Sequence, residues 1–105
     1  MARESAKIPP ESLSKVVVRD STGAEVATIP NADGKRASLV FYAAAAARHS
    51  GMLDQAAASM LLELYDEVTD EARAHRGSHP NIDLPLDVLS GDARNGPLTI
   101  EVVKA

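Results

Sequence analysis

Two short segments near the start of the chain alternate hydrophobic and polar residues. They are KVVVRD at residues 15–20 and EVATI at residues 25–29. Side chains alternate between the two faces of a β-strand, so the first and third valines can face a core while Val17 faces outward. The turn residues STG separate the segments, and Gly23 can adopt a positive φ. We therefore predict a β-hairpin.

A third alternating segment, PLTIEVVKA, ends the chain at residues 97–105. Leu98, Ile100 and Val102 can face one side of a strand, and the residues between them face the other. This pattern predicts a third strand.

The stretch between the hairpin and the last strand favours helices. Residues 37–49 are rich in alanine, with Ser38 as a candidate cap and Ser50-Gly51 as a stop. The small side chains of residues 43–47 can let another helix or the sheet approach closely.

The longest predicted helix runs from Asp54, a good N-cap, to about His75. A short third helix can follow at residues 84–89, with Pro85 in its first turn. Hydrophobic residues recur at intervals of three and four along one face of the long helix: Leu53, Ala57, Met60, Leu61, Leu64, Val68 and Ala72.

These elements predict an α+β domain. A small three-stranded antiparallel sheet, made by the N-terminal hairpin and the C-terminal strand, carries two main helices and one short helix on one face. Residues 1–12 contain a Pro-Pro pair and little periodicity, so we expect a flexible arm before a single domain at residues 13–105. The sheet has two open edges, and large core side chains are scarce because 18 residues are alanine. We therefore expect a homodimer.

Composition and charge remove several classes of function. The chain has no cysteine, which excludes disulfides, thiolate metal sites and iron–sulfur clusters. The net charge is −4 and the basic residues are scattered, which argues against a nucleic-acid partner. The start of the chain has charges and no apolar run, so it predicts neither a secretory signal nor a membrane anchor. We expect a cytoplasmic protein with no membrane partner and no cofactor.

The segment RGSHPNIDLP, residues 76–85, contains the main candidates for chemistry. His75, His79 and Asp83 are spaced by four residues, which would suit a metal ion on an unbroken helix. A glycine and a proline interrupt the spacing, so only a particular loop could bring the three together. A simpler interpretation is a turn in which His75 ends one helix and Asn81 or Asp83 caps the next.

A second candidate site precedes the first helix. The segment DGKRAS, residues 33–38, places two cations at a helix start, where free N–H groups and the helix dipole can hold an anion. A P-loop is excluded because Ile29 stands where its first glycine should be, and an ordinary loop with exposed cations is the alternative. The candidate ligand-binding residues are therefore His79, Asn81, Asp83, Lys35 and Arg36.

Five carboxylates lie within nine residues of the long helix, with no Lys or Arg between them: Glu63, Asp66, Glu67, Asp70 and Glu71. Such clusters can hold Mg²⁺ or Ca²⁺ or serve acid–base chemistry, whereas a solvated helix face is the simpler interpretation. Because like charges weaken a helix unless a basic partner covers them, a protein partner at this acidic face is a further hypothesis.

The chain resembles a family of small uncharacterised bacterial proteins that is defined only as a domain of unknown function. The similar features are the hairpin followed by Gly34-Lys35, the helix start at Ser38-Leu39, the long second helix, and the motif HPNIDL at residues 79–84. The match would cover about residues 13–103. This resemblance implies a bacterial, cytoplasmic protein and supplies no activity, cofactor or catalytic residue.

No nucleophile and base are paired in the sequence, and no G-x-S-x-G elbow is present. We therefore favour a non-enzymatic interaction or regulatory module that uses a sheet edge or the acidic helix face. The alternative is a small-ligand-binding or metal-binding protein, with or without enzymatic activity, whose site lies around His75, His79 and Asp83. The substitution His79→Ala should cost only local order in the first case and abolish ligand or metal uptake in the second.

Overall fold

Strands and helices alternate unevenly along the chain. The computed structural model describes residues 10–91 and 97–105. Most of the predicted arm, residues 1–9, therefore lies outside the described residues, and a 3-10 turn at Pro10–Ser12 leads into the first strand. The elements are β1 (Leu13–Arg19), β2 (Glu25–Pro30), α1 (Arg36–Arg48), β3 (Met52–Leu53), α2 (Gln55–Tyr65), α3 (Glu67–Ala74), α4 (Pro80–Ser90) and β4 (Leu98–Lys104).

The predicted hairpin is confirmed, since β1 and β2 pair antiparallel. Its turn is built around Asp20, whose side-chain Oδ1 accepts hydrogen bonds from the backbone N–H groups of Thr22, at 2.9 Å, and Ala24, at 3.1 Å. Gly23 has a φ of 87°, which an L-residue with a side chain rarely adopts. An Asx-type turn and a glycine therefore reverse the chain.

Among the residues that the structure describes, the sheet has four strands in the order β2-β1-β4-β3, so the prediction of three strands is wrong in this detail. After α1, Ser50 and Gly51 both have positive φ, and the turn that they form lays Leu53 beside Leu98 of β4. The Ile100 N–H extends this pairing by donating to the Gly51 carbonyl at 2.7 Å. A strand of two residues is too short to show an alternating pattern, so the sequence carries no signal for it.

The two faces of the sheet have different chemistry. Val16, Val18 and Ile100 face the main core. The other face carries polar pairs such as Arg19 Nε and Glu101 Oε1, which lie 3.2 Å apart. Val17, expected to be exposed on that face, is only 1% exposed. It belongs to an inner strand, between Thr28 of β2 and Glu101 of β4.

Helix α1 packs on the sheet through its alanines. Residues 43–46 are all buried, and Leu39 and Tyr42 are completely buried beside them. This confirms that the alanine run allows close approach. The predicted cap is wrong, because α1 begins at Arg36 with Lys35 as its N-cap and no side-chain capping bond.

The predicted long helix is two helices, α2 and α3, separated at Asp66. The start is as predicted, because the Asp54 carboxylate accepts a hydrogen bond from the Ala57 N–H at 2.9 Å. Asp66 has φ 53° and ψ −121°, which no helical residue adopts. The break rotates α3, so Thr69 is buried while Val68, predicted for the apolar stripe, is 38% exposed. The backbone reversal at Asp66 does not interrupt the hydrophobic periodicity of the sequence, so the periodicity could not predict it.

Helix α4 is longer than the predicted 84–89 segment, since it runs from Pro80 to Ser90. Pro80 occupies the first turn, where a proline is favourable, and Pro85 lies inside the helix rather than in its first turn. The helix packs outside α2 and α3 through a second hydrophobic cluster: Leu62, Ala72, Ile82 and Leu86.

Candidate functional site

An open cleft lies where the start of α1, the α2–α3 junction and the start of α4 meet. Its volume is about 440 Å³. Three of the five predicted ligand-binding residues line it, namely Lys35 from one side and His79 and Asn81 from the other. The structure therefore brings together two segments that are more than forty residues apart in the sequence.

Neither helix start at the cleft is capped by a side chain. The N-cap residues are Lys35 for α1 and His79 for α4, and neither makes a side-chain capping bond. The prediction that Asn81 or Asp83 caps the helix is wrong, because both lie inside α4. The first N–H groups of a helix lack the usual helical partner, so those of α1 adjoin the cleft. At the start of α4 the donors are fewer, because Pro80 has no N–H and the Ile82 N–H donates to the His79 carbonyl at 2.9 Å.

A tyrosine from α1 compensates for the internal proline of α4. Pro85 has no N–H, so the carbonyl of Asn81, four residues earlier, loses its usual helical partner. The Tyr42 hydroxyl donates to that carbonyl at 2.5 Å. Burial raises the pKa of Tyr42 well above its usual value, and the nearby Tyr65 raises it further. Tyr42 therefore joins α1 to the HPN segment, residues 79–81, through a neutral hydroxyl.

The apolar wall of the cleft contains a second buried phenol. The rings of Phe41 and Tyr65 lie edge to face, with centroids 5.0 Å apart. The Tyr65 hydroxyl donates to Ser38 Oγ at 2.6 Å. Burial raises the pKa of Tyr65 to about 12, although the bond to Ser38 lowers it in part. This contact ties the end of α2 to the first turn of α1.

Asp83 is engaged in positioning the loop ahead of α4. It accepts hydrogen bonds from Arg76 Nε, at 2.9 Å, and from the Gly77 N–H, at 2.8 Å. Arg76 also bonds Asp87 at 2.6 Å, and this contact raises the pKa of Arg76 above its usual value. Asp83 is not among the residues that line the cleft. Its bonds hold the loop before His79 against α4.

The remaining predicted site residues lie outside the cleft lining. Arg36 bonds Asn31 Oδ1 and Asp33 Oδ1, at 2.9 and 2.8 Å, and so secures the loop before α1. His75 follows the last residue of α3, and its carbonyl accepts from the Ser78 hydroxyl at 2.6 Å. Within the described residues, no group of three or more His, Cys, Asp or Glu side chains is placed to hold a metal ion.

His79 has an unusual environment. Its Nε2 is excluded from solvent and lies 3.3 Å from Glu71 Oε1, but the contact does not have hydrogen-bond geometry. Buried polar atoms normally have a hydrogen-bond partner. His79 Nε2 is therefore a buried nitrogen whose nearest polar neighbour given by the structure is the Glu71 carboxylate.

The five predicted acidic residues are all exposed, and the Asp66 break divides them between α2 and α3. Asp70 lies 3.6 Å from Arg73. These carboxylates are solvent-exposed, as the simpler interpretation predicted, and none of them lines the cleft.

A family model identifies the chain. The model describes an uncharacterized protein conserved in bacteria, DUF2322, and it matches residues 6–98. The chain belongs to this family. The match, somewhat different in extent from the predicted 13–103, includes both sides of the cleft. No curated protein and no solved structure matches the chain.

The membership confirms the predicted resemblance to an uncharacterised bacterial family. In the part of the chain that the structure describes, no helix combines the length and the apolar character needed to cross a membrane.

Tyr42 and Tyr65 are not among the residues that the sequence pattern predicted for the site. One signal could have revealed Tyr42: a proline inside a helix leaves the carbonyl four residues earlier without a partner, so a donor must come from elsewhere. The sequence contained no comparable signal for the contact between Tyr65 and Ser38, since it depends on how α1 and α2 pack.

Proposed function

We propose that this protein is a non-enzymatic binding module that holds a small anionic ligand in the cleft. One observation carries the proposal: two helix starts without side-chain caps and the exposed Lys35 adjoin the same open cleft. The HPN segment then serves both as the turn before α4 and as part of the ligand site.

The physical reason is the partial positive charge at each helix start. A helix carries the equivalent of roughly half a positive charge at its N-terminus, and unpaired N–H groups there can bind an anion directly. Helix α1 has 13 residues and α4 has 11, so each has several full turns of aligned peptide dipoles. The Lys35 ammonium adds a full charge that can approach the same anion.

Negative charges near the cleft limit its affinity for an anion. The chain carries a net charge of −4, and Glu71 stands next to His79. Attraction to an anion must therefore be local, and it should weaken as ionic strength rises because the cleft is open. A basic residue elsewhere on the surface should contribute little.

The test is a titration with inorganic phosphate, followed by the backbone amide signals in NMR. We expect the signals of residues 36–38 and 81–82 to shift together. Lys35→Gln should weaken binding about fivefold, equivalent to roughly 1 kcal/mol. Lys15→Gln, which removes the same charge from the exposed far side of the sheet, should leave the affinity unchanged. The absence of shifts at both helix starts, or equal losses in the two variants, would contradict the proposal.

Two predictions about protein partners remain part of this proposal. A homodimer would use the edge strand β2 or β3, and a basic protein partner would use the exposed acidic residues of α2 and α3. Native mass spectrometry reports subunit number and retained partners together, so it tests both. The cytoplasmic location stays a prediction, and fractionation of the producing cells tests it.

A further inference from the structure

We infer that Asp33 is a modification site at which the chain spontaneously forms isoaspartate. Asp33 lies in the loop between β2 and α1, and Gly34 follows it directly. In this reaction the main-chain nitrogen of the following residue attacks the carboxyl carbon of the aspartate side chain. The inference does not depend on whether the cleft binds an anion.

The reaction is balanced with water as its only co-reactant. A bond forms between the Gly34 nitrogen and Asp33 Cγ, while the carboxyl hydroxyl and the amide proton leave as water. Water then opens the resulting cyclic imide. Addition at the side-chain carbonyl carbon restores aspartate, whereas addition at the main-chain carbonyl carbon leaves isoaspartate, whose main chain runs through Cβ and Cγ. No oxidant, reductant or enzyme is needed.

The Asp33 carboxylate is accessible and only weakly held. Its side chain is 97% exposed, and its ion pair with Arg36 joins Oδ1 to Nη1 at 2.8 Å. The Arg36 side chain is itself 54% exposed, so solvent surrounds this pair. Exposed ion pairs contribute little to stability. The carboxylate can therefore leave Arg36 at small cost and turn toward the main chain.

The backbone around Asp33 also favours the reaction. The Lys35 N–H donates to the Ala32 carbonyl at 2.9 Å and closes a turn with Asp33 and Gly34 at its centre. This closing bond does not use the Gly34 N–H. Gly34 has a φ of 80°, and a Cβ added there would meet no atom within 4 Å. The attacking nitrogen therefore belongs to an unhindered residue in an open turn.

Asp20 provides a comparison within the same chain. It is only 8% exposed, and its Oδ1 accepts hydrogen bonds from the N–H groups of Thr22 and Ala24. Imide formation there would break these bonds, each of which contributes about 1 kcal/mol. The residue that would attack is Ser21, which has a side chain. We therefore expect Asp20 to convert more slowly than Asp33.

Conversion would change the start of α1. Isoaspartate adds one carbon to the main chain between Ala32 and Lys35 and moves the carboxylate relative to Arg36. The turn bond between Ala32 and Lys35 and the ion pair of Asp33 with Arg36 would then lose their geometry. Residue 33 would thus alter the position of Lys35 without any change in the encoded sequence.

The experiment ages the purified protein at neutral pH and physiological temperature. Trypsin then releases residues 20–35 as one peptide, which contains both Asp20 and Asp33. Mass spectrometry with electron-transfer fragmentation distinguishes isoaspartate from aspartate at each position. We expect conversion at Asp33 to be about tenfold faster than at Asp20, a difference in barrier of roughly 1.4 kcal/mol. Asn95-Gly96, outside the described residues, has related chemistry but lies in another tryptic peptide.

Two controls separate the contribution of the fold from that of the sequence. A synthetic peptide of residues 31–36, aged in parallel, gives the rate of the unfolded segment, and the open turn should let the protein convert at a similar rate. Asp33→Glu should show no conversion at residue 33, because the longer side chain would have to close a larger ring.

Three results would overturn the inference. Conversion of the peptide without conversion of Asp33 in the protein would mean that the folded turn prevents the reaction. Equal rates at Asp20 and Asp33 would contradict the argument from exposure and hydrogen bonding. If the backbone amide signals of Lys35 and Arg36 are the same in NMR spectra of the converted and the fresh protein, the proposed change at the start of α1 is wrong.

Discussion

Removing the Tyr42 hydroxyl tests how the HPN segment is held. Tyr42→Phe takes away the donor that replaces the missing N–H of Pro85, so the Asn81 carbonyl loses its partner inside a packed helix pair. The ring of residue 42 is completely buried and stays in place, so the variant creates almost no cavity. The expected loss therefore comes from the hydrogen bond alone.

The magnitude follows from the cost of an unsatisfied carbonyl. A net hydrogen bond contributes about 1 kcal/mol, and leaving the buried partner unpaired raises the loss to about 2 kcal/mol. Urea unfolding followed by circular dichroism at 222 nm measures this loss. The midpoint should fall while the slope of the transition stays the same, because the same surface is exposed on unfolding.

A second substitution separates this bond from any other effect of the hydroxyl. In Pro85→Ala the amide of residue 85 can donate to the Asn81 carbonyl as in an ordinary helix. The cost of Tyr42→Phe should then fall to about 0.5 kcal/mol, which gives a coupling energy of about 1.5 kcal/mol in the double-mutant cycle. If Tyr42→Phe costs the same in both backgrounds, the hydroxyl does not substitute for the missing N–H and the reasoning is refuted.

Three further predictions concern stability. At Asp66 we expect the glycine variant to be about 1 kcal/mol more stable than the alanine variant in urea unfolding, because φ is 53°; the reverse order would indicate a continuous helix, where alanine is favoured. The pKa of Tyr65 is about 12 in the folded protein and near 10.0 in the unfolded chain. Its contribution to the free energy of unfolding is therefore complete below pH 10 and is lost as the pH rises toward 12. Tyr65→Phe should therefore flatten the fall of unfolding free energy over this range, and an unchanged slope would contradict the burial of the phenol. Leu61→Ala, at a completely buried position, should cost about 3 kcal/mol, whereas Leu89→Ala, at a 36% exposed position, should cost less than about 1 kcal/mol in the same assay; similar costs would mean that α2 is not at the centre of the core.

Much of the fold could be predicted because its signals are local. The alternation in residues 98–104 reflects a strand that buries mainly one face, whereas β1 buries three consecutive valines. The caps and turns at Asp20 and Asp54 act within a few residues of themselves. The helix break at Asp66 could not be predicted, because apolar residues continue at helical spacing on both sides of it. The strand β3 was too short to carry a pattern, and its pairing with β4 depends on where α1 ends.

The sequence by itself determined which residues could contribute chemistry to the site: a lysine at one helix start, and a histidine and an asparagine at another. Only the tertiary structure decided that Lys35, His79 and Asn81 share a cleft, and that Arg36, His75 and Asp83 do not line it. The physical reason is that α1 and α4 both pack on α2 and are joined by the hydrogen bond from the Tyr42 hydroxyl to the Asn81 carbonyl. Contacts between residues so far apart depend on the closure of the whole core, which no local spacing encodes.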